Sequence, residues 1–142
     1  MMNNSNLSAI TLIRLSKDDE LIEILTKLAV SSNLHAAQFS AIGACNKLVL
    51  SYYNLDEKKY EDHEFDEDME ITGIIGNIGW MDGKPIIHAH GTFGRKDLSV
   101  SGGHVKKLVV SATCEITLTQ LPQKIERAFD PETGLNLIKD SF

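Results

Sequence analysis

In the strand expected from Lys107 to Leu118, Val110, Ala112, Cys114, Ile116 and Leu118 take turns with Ser111, Thr113, Glu115, Thr117 and, one step on, Thr119. Period-two patterning of this length specifies a β-strand with one buried face, because successive side chains leave a strand on opposite sides. The other face is polar but β-branched, which suits a half-covered sheet or a subunit interface. A strand of this kind needs antiparallel neighbours and a covering layer.

The rest of the chain supplies both. Ala9–Leu15 reads as a strand. Ser16 reads as a helix N-cap with Asp19 as its capping-box partner, and Asp18 and Glu20 complement the helix dipole. Leu21, Ile22, Leu25, Leu28 and Ala29 then recur at helical spacing, and the pattern weakens at Ser31–Asn33. His35–Cys45, Lys47–Leu55, Tyr60–Phe65 and Met69–Trp80 read as strands, with a turn at Asp56–Lys59. Gly73, Gly76 and Gly79 argue for bending or close packing, and Asp82-Gly83 is a hairpin signal. In the tail, Asp130-Pro131 reads as a helix N-cap and first turn that Gly134 stops. One helix, many strands and no repeating βαβ unit specify an α+β fold, an antiparallel sheet with the N-terminal helix packed on it. The 142 residues suit one domain spanning 1–142, with 1–8 expected to fray.

Composition narrows the function classes. The net charge of −6 opposes nucleic-acid binding, which draws on Lys and Arg meeting phosphates. Arg95-Lys96 with Lys106-Lys107 is the one candidate basic patch. The acidic run from Asp56 to Glu70 reads as a solvated hairpin; it lacks the central glycine and ligand spacing of a calcium loop. No apolar stretch reaches the ~20 residues that span a bilayer. The polar start, Met1–Ser8, has no basic segment leading into an apolar one, so a cytoplasmic address without a secretory signal is expected. Cys45 and Cys114 lack zinc-knuckle spacing and are expected as buried free thiols.

The chemistry concentrates in Ile86-Ile87-His88-Ala89-His90-Gly91-Thr92-Phe93 and Ser101-Gly102-Gly103-His104-Val105. His88 and His90 share a strand face one pleat apart, and His104 follows two glycines that permit tight backbone geometry. Three converging imidazoles form a facial ligand set for zinc or another divalent metal and leave a coordination position open. Gly102 and Gly103 are candidates for an anion-binding nest of backbone amides, with a tight turn the plainer alternative. Glu115 is a candidate general base or partner to a ligand histidine, a structural ion pair being its plainer alternative. His63 is expected in a surface ion pair, the role of His35 is open, and Arg127 is expected to pair locally with Asp130. No nucleophile elbow, Walker loop or dinucleotide fingerprint is present. Catalytic residues are not assigned.

An ordered set of features carries a resemblance. The helix, Glu70-Ile71 through Gly76-Asn77-Ile78, Asp82-Gly83, His88-x-His90, Gly102-Gly103-His104, Thr113-x-Glu115-Ile116 and Arg127-x-x-Asp130-x-x-Thr133-Gly134-Leu135 occur in this order. Together they resemble the plants-and-prokaryotes-conserved (PPC) domain in its stand-alone prokaryotic form, from about Ile10 to Ile138. The resemblance implies an α+β domain around an antiparallel sheet and a homotrimer. It also implies a metal site in some prokaryotic members, matched here by His88, His90 and His104. Plant members join the domain to a basic AT-hook, and prokaryotic relatives inherit a DNA-binding label from that association. This chain contains no such hook. It departs from many relatives at Leu108, where they carry glycine. The resemblance leaves two classes of function open: a metal site that is structural, catalytic or ligand-receiving, and a DNA-binding or regulatory interaction module without enzymatic activity.

Overall fold

In order along the chain come β1 (Ile10–Ser16), α1 (Leu21–Ser31), β2 (Ala37–Asn54), β3 (Lys59–Phe65), β4 (Met69–Met81), β5 (Lys84–Gly94), β6 (Val100–Gln120), β7 (Arg127–Asp130) and β8 (Leu135–Ile138). They are taken from a computed structural model that describes residues 7–140. The expected fraying of residues 1–8 falls mostly outside that range. Within it, the carbonyls of Leu7 and Ser8 accept hydrogen bonds from Gln120 Nε2.

The main sheet runs β1-β6-β5-β4-β2-β3, and β6 also pairs with β2, so β2, β4, β5 and β6 form a closed circuit of antiparallel ladders. The length of β6 makes closure feasible: Val100–His104 pair with β5, and His104–Gln120 pair with β2. The expected strand over 107–118 is therefore the second half of a 21-residue strand. Closing so few strands demands sharp bends, which bulges supply. At one of them a Cβ on Gly43 would lie 2.1 Å from the Thr113 carbonyl oxygen, so only glycine fits. The same irregularity turns Ala112 to solvent while Val110, Cys114, Ile116 and Leu118 stay buried.

The core lies between this sheet and α1, whose Leu21, Leu25, Leu28 and Ala29 are buried against β5 and β6. Phe39 and Phe93, both fully buried, fill its centre. Cys45 and Cys114 are buried and unpaired, as expected. The α+β reading, an antiparallel sheet with one N-terminal helix, describes this architecture. No helix among the described residues is long and apolar enough to cross a membrane.

Three local expectations are corrected. The helix cap is Glu20, whose carboxylate accepts from the Ile22 and Glu23 amides, instead of Ser16. The Ser16–Asp19 pairing does form, with Ser16 N–H donating to Asp19 Oδ2 at 2.8 Å. It closes a separate turn, because bonds from Asp18 N–H to Val110 O and from Val110 N–H to Asp19 O tie those residues to β6. The two strands expected over 35–55 are one, β2, since bulges absorb the irregular stretch without ending the ladder. Asp130 caps a hairpin turn between β7 and β8 where a helix start was expected: its Oδ2 accepts from Thr133 N–H and Oγ1, and Gly134 takes φ +76°.

Candidate metal centre

His90 and His104 stand directly opposite each other in the β5–β6 ladder, and His88 lies one pleat along β5 on the same face. Directly paired strand residues hold their Cβ atoms about 5 Å apart, within reach of two imidazoles. The backbone register itself gathers the three rings. Their centroids are 5.0 Å (His88–His90), 5.6 Å (His88–His104) and 5.5 Å (His90–His104) apart. One nitrogen from each lies within 4.8 Å of the others. On the opposite face of β5, Ala89 and Phe93 anchor the strand in the core, so its register cannot slip without exposing them.

The donor set fits a divalent cation. His88 Nε2 and His90 Nε2 are 3.2 Å apart, close to the ~3.3 Å that two nitrogens span on a tetrahedral zinc with bonds of about 2.0 Å. His104 Nδ1 is buried without a hydrogen-bond partner. Burial, followed by the neighbouring His88 and His90, lowers the His104 pKa to about 4. Burial, then Arg127 and then His90, lowers that of His88. Both rings are therefore neutral at pH 7, the form that offers a lone pair to a metal.

Around the triad, the Tyr60 ring lies 4.9 Å from the His104 ring. Ser51, paired with His104 across the β2–β6 ladder, is buried and donates to Asp62 Oδ1 at 2.6 Å. Arg127, at the start of β7, is only 7% exposed. Its guanidinium donates to Asn136 O at 2.9 Å and to Asn77 Oδ1 at 2.8 Å, and its Nη2 lies 3.5 Å from His88 Nδ1. This corrects the expected local pair with Asp130, which is engaged in its own turn. Sequence reasoning missed Arg127 as a neighbour of the site, because its contacts lie 50 residues back on β4 and 39 back on β5.

Other candidates lie elsewhere. Glu115 lies two positions before Thr117 on β6, three strands across the sheet from His90, roughly 15 Å away at ~4.8 Å per strand. It lines a shallow cleft with Leu12, Arg14, Ser40 and Ile42, and is not among the residues that wall the triad within the chain. Gly102 and Gly103 form neither nest nor turn: they are strand residues, paired with Thr92 and Gly91. Their lack of side chains lets strands approach, a Cβ on Gly102 lying 3.1 Å from Gly91 O and one on Gly103 3.2 Å from Ser51 O. Leu108 is fully buried, with its amide donating to Glu20 Oε1. His63 has no ion pair among the described residues, and His35 lies 6.1 Å from the Trp80 ring. In the candidate basic patch, Arg95 pairs with Glu67 and Lys106 with Asp62.

Solved structures share this fold. A metal-containing protein from Archaeoglobus fulgidus is 33% identical with a TM-score of 0.86, over 95% of this chain and 96% of that one. A PPC protein from Pyrococcus horikoshii is 27% identical with a TM-score of 0.87, over 99% and 98%. A Bacteroides thetaiotaomicron protein, provisionally named as DNA-binding, is 27% identical with a TM-score of 0.89, over 95% and 94%. No curated protein matches the chain. Residues 2–122 match the family model of the Plants and Prokaryotes Conserved (PCC) domain, and the chain, which carries the triad on the two strands that close its sheet, belongs to that family.

Proposed function

We propose that this chain binds a divalent cation, zinc foremost, through His88, His90 and His104, and works as a cytoplasmic homotrimer that receives a small-molecule ligand at the metal. The convergence of three nitrogens within 4.8 Å carries the reading. The metal-containing relative from Archaeoglobus supports it. When bound, such an ion supplies a Lewis-acid centre with a position open to water or ligand. The chain's own part is to hold three imidazoles at a fixed spacing on paired strands.

Support for assembly comes from the outer face of the sheet. A row of paired residues runs Leu12, Thr117, Ser40, Ile75, His90. Leu12 is 80% exposed and Ile75 is 68% exposed, with Ile42 exposed nearby. Apolar side chains set in a β-branched row suit burial against a second copy.

Metal analysis of untagged protein is expected to return about one zinc per chain. His90→Ala is expected to lose it, and unchanged metal content in that variant would overturn the assignment. The second reading, a DNA-binding module, is favoured by the provisional name of the Bacteroides relative. Against it stand the net charge of −6 and the pairing of Arg95 and Lys106 with carboxylates. It requires duplex binding that weakens steeply with salt; no binding at low salt ends it.

A further inference from the structure

Arg127 is a buried cation with no carboxylate partner among the described residues. Its protein acceptors, the Asn136 carbonyl and the Asn77 amide oxygen, are neutral, and its Nε is buried with no acceptor at all. A buried charge left in this condition is costly, because neutral dipoles replace only part of its hydration. The guanidinium also borders a pocket of about 260 Å³ whose walls include Tyr60, Ile86, His88, His104 and Leu135. Imidazole ligands bring no negative charge there, so a dication held beside Arg127 leaves the site strongly electropositive.

We propose that this pocket receives a small monocarboxylate with a short apolar body, its carboxylate held by Arg127. The inference deepens the metal reading and rests on it only for the ligand's second anchor, the open metal position. A carboxylate can accept from the Nη N–H groups that Asn136 and Asn77 leave free, a charge-assisted contact. The other pocket walls hold no further Arg or Lys to satisfy a phosphate's remaining oxygens. Ile86, Ile87, Leu135 and Leu137 line the rest of the pocket and suit an aliphatic group of a few carbons. The β7–β8 ribbon thus forms one wall of the ligand site and supplies its anion-recognising residue.

The test compares isobutyrate with isobutyramide, nearly equal in shape and different in charge, by titration calorimetry on the zinc-loaded full chain. The acid is expected to bind at least ten-fold more tightly than the amide. Arg127→Gln, which removes the charge, is expected to remove most of that preference with zinc content unchanged. Should that variant fail to fold, Asn77→Asp decides: it places a carboxylate where Asn77 Oδ1 already meets Arg127, and is expected to weaken isobutyrate at least ten-fold. Equal binding of acid and amide, or an acid affinity unchanged in a folded variant, overturns the proposal. The metal reading fails separately. Acid preference that survives chelation and His90→Ala but not Arg127→Gln upholds the carboxylate site without a metal, whereas zinc retained with no acid preference overturns the carboxylate site alone.

Discussion

At the scale of single residues, the two cysteines make the pH behaviour testable. Burial, followed by the charge of Cys114, pushes the Cys45 thiol from 9.0 up to about 12. Burial, followed by Glu115, pushes Cys114 to about 11. The folded state therefore holds thiol protons that the unfolded state gives up near pH 9. Their contribution to stability is intact below that pH and is lost as pH rises from about 9 towards 11–12, by up to ~1.4 kcal/mol per pH unit per thiol. Urea titrations between pH 8 and 10.5 are expected to show this slope, and Cys45→Ala to reduce it. Alkylation by iodoacetamide at pH 8 should be negligible in the native protein and rapid in urea. Gly76 offers a second test at this scale. A Cβ there would lie 2.5 Å from the Phe39 ring and 2.6 Å from His88 O. Gly76→Ala is expected to cost about 1–3 kcal/mol by overpacking. It should also lower zinc content, since the backbone it displaces carries His88. The three histidines were legible in the sequence because strand periodicity puts His88 and His90 on one face. Arg127 was not, because a short tail segment with one arginine says nothing about which distant strand will bury it.

Elements show where local signals compete. Glu20 joins α1 to β6: its carboxylate accepts from Ile22 N–H at 3.2 Å, Glu23 N–H at 2.8 Å and Leu108 N–H at 3.0 Å. Glu20→Ala is expected to destabilise the fold by about 2 kcal/mol, through a lost cap and a buried amide without a partner. Glu20→Gln, which keeps one acceptor oxygen, should cost roughly half as much; equal losses in thermal unfolding would show that the charge decides. The sequence marked α1 by its apolar stripe but put its cap at Ser16, because Ser-x-x-Asp chemistry serves a turn as well as a helix. Asp130-Pro131 misled in the same way. Its side chain closes a four-residue turn, and the pairing of Ala128 with Leu137 makes that turn a hairpin. Asp82-Gly83 was legible, because two successive positive φ angles, +50° and +75°, suit few other residue pairs.

For the whole molecule, the exposed row ending at His90 carries the assembly prediction. Wild-type protein is expected to sediment at about three times its 15.7 kDa chain mass. Leu12→Lys is expected to shift it to the monomer, while Val30→Lys, an exposed apolar position on α1, should leave it unchanged. A wild-type monomer would remove the trimer from the proposal without touching the triad.

By itself the sequence determined the α+β class, the N-terminal helix, the polar-and-apolar faces of the long strand and the shared face of His88 and His90. These follow from periods of 2 and 3.6 residues, which local stereochemistry enforces. Tertiary structure alone decided that β6 closes the sheet against both β5 and β2, that His104 stands opposite His90, and that Arg127 is buried beside them. It also placed Glu115 on the outer face three strands across from His90, in a separate cleft. Register and closure depend on the summed packing of residues far apart in the chain, and no local pattern encodes that sum.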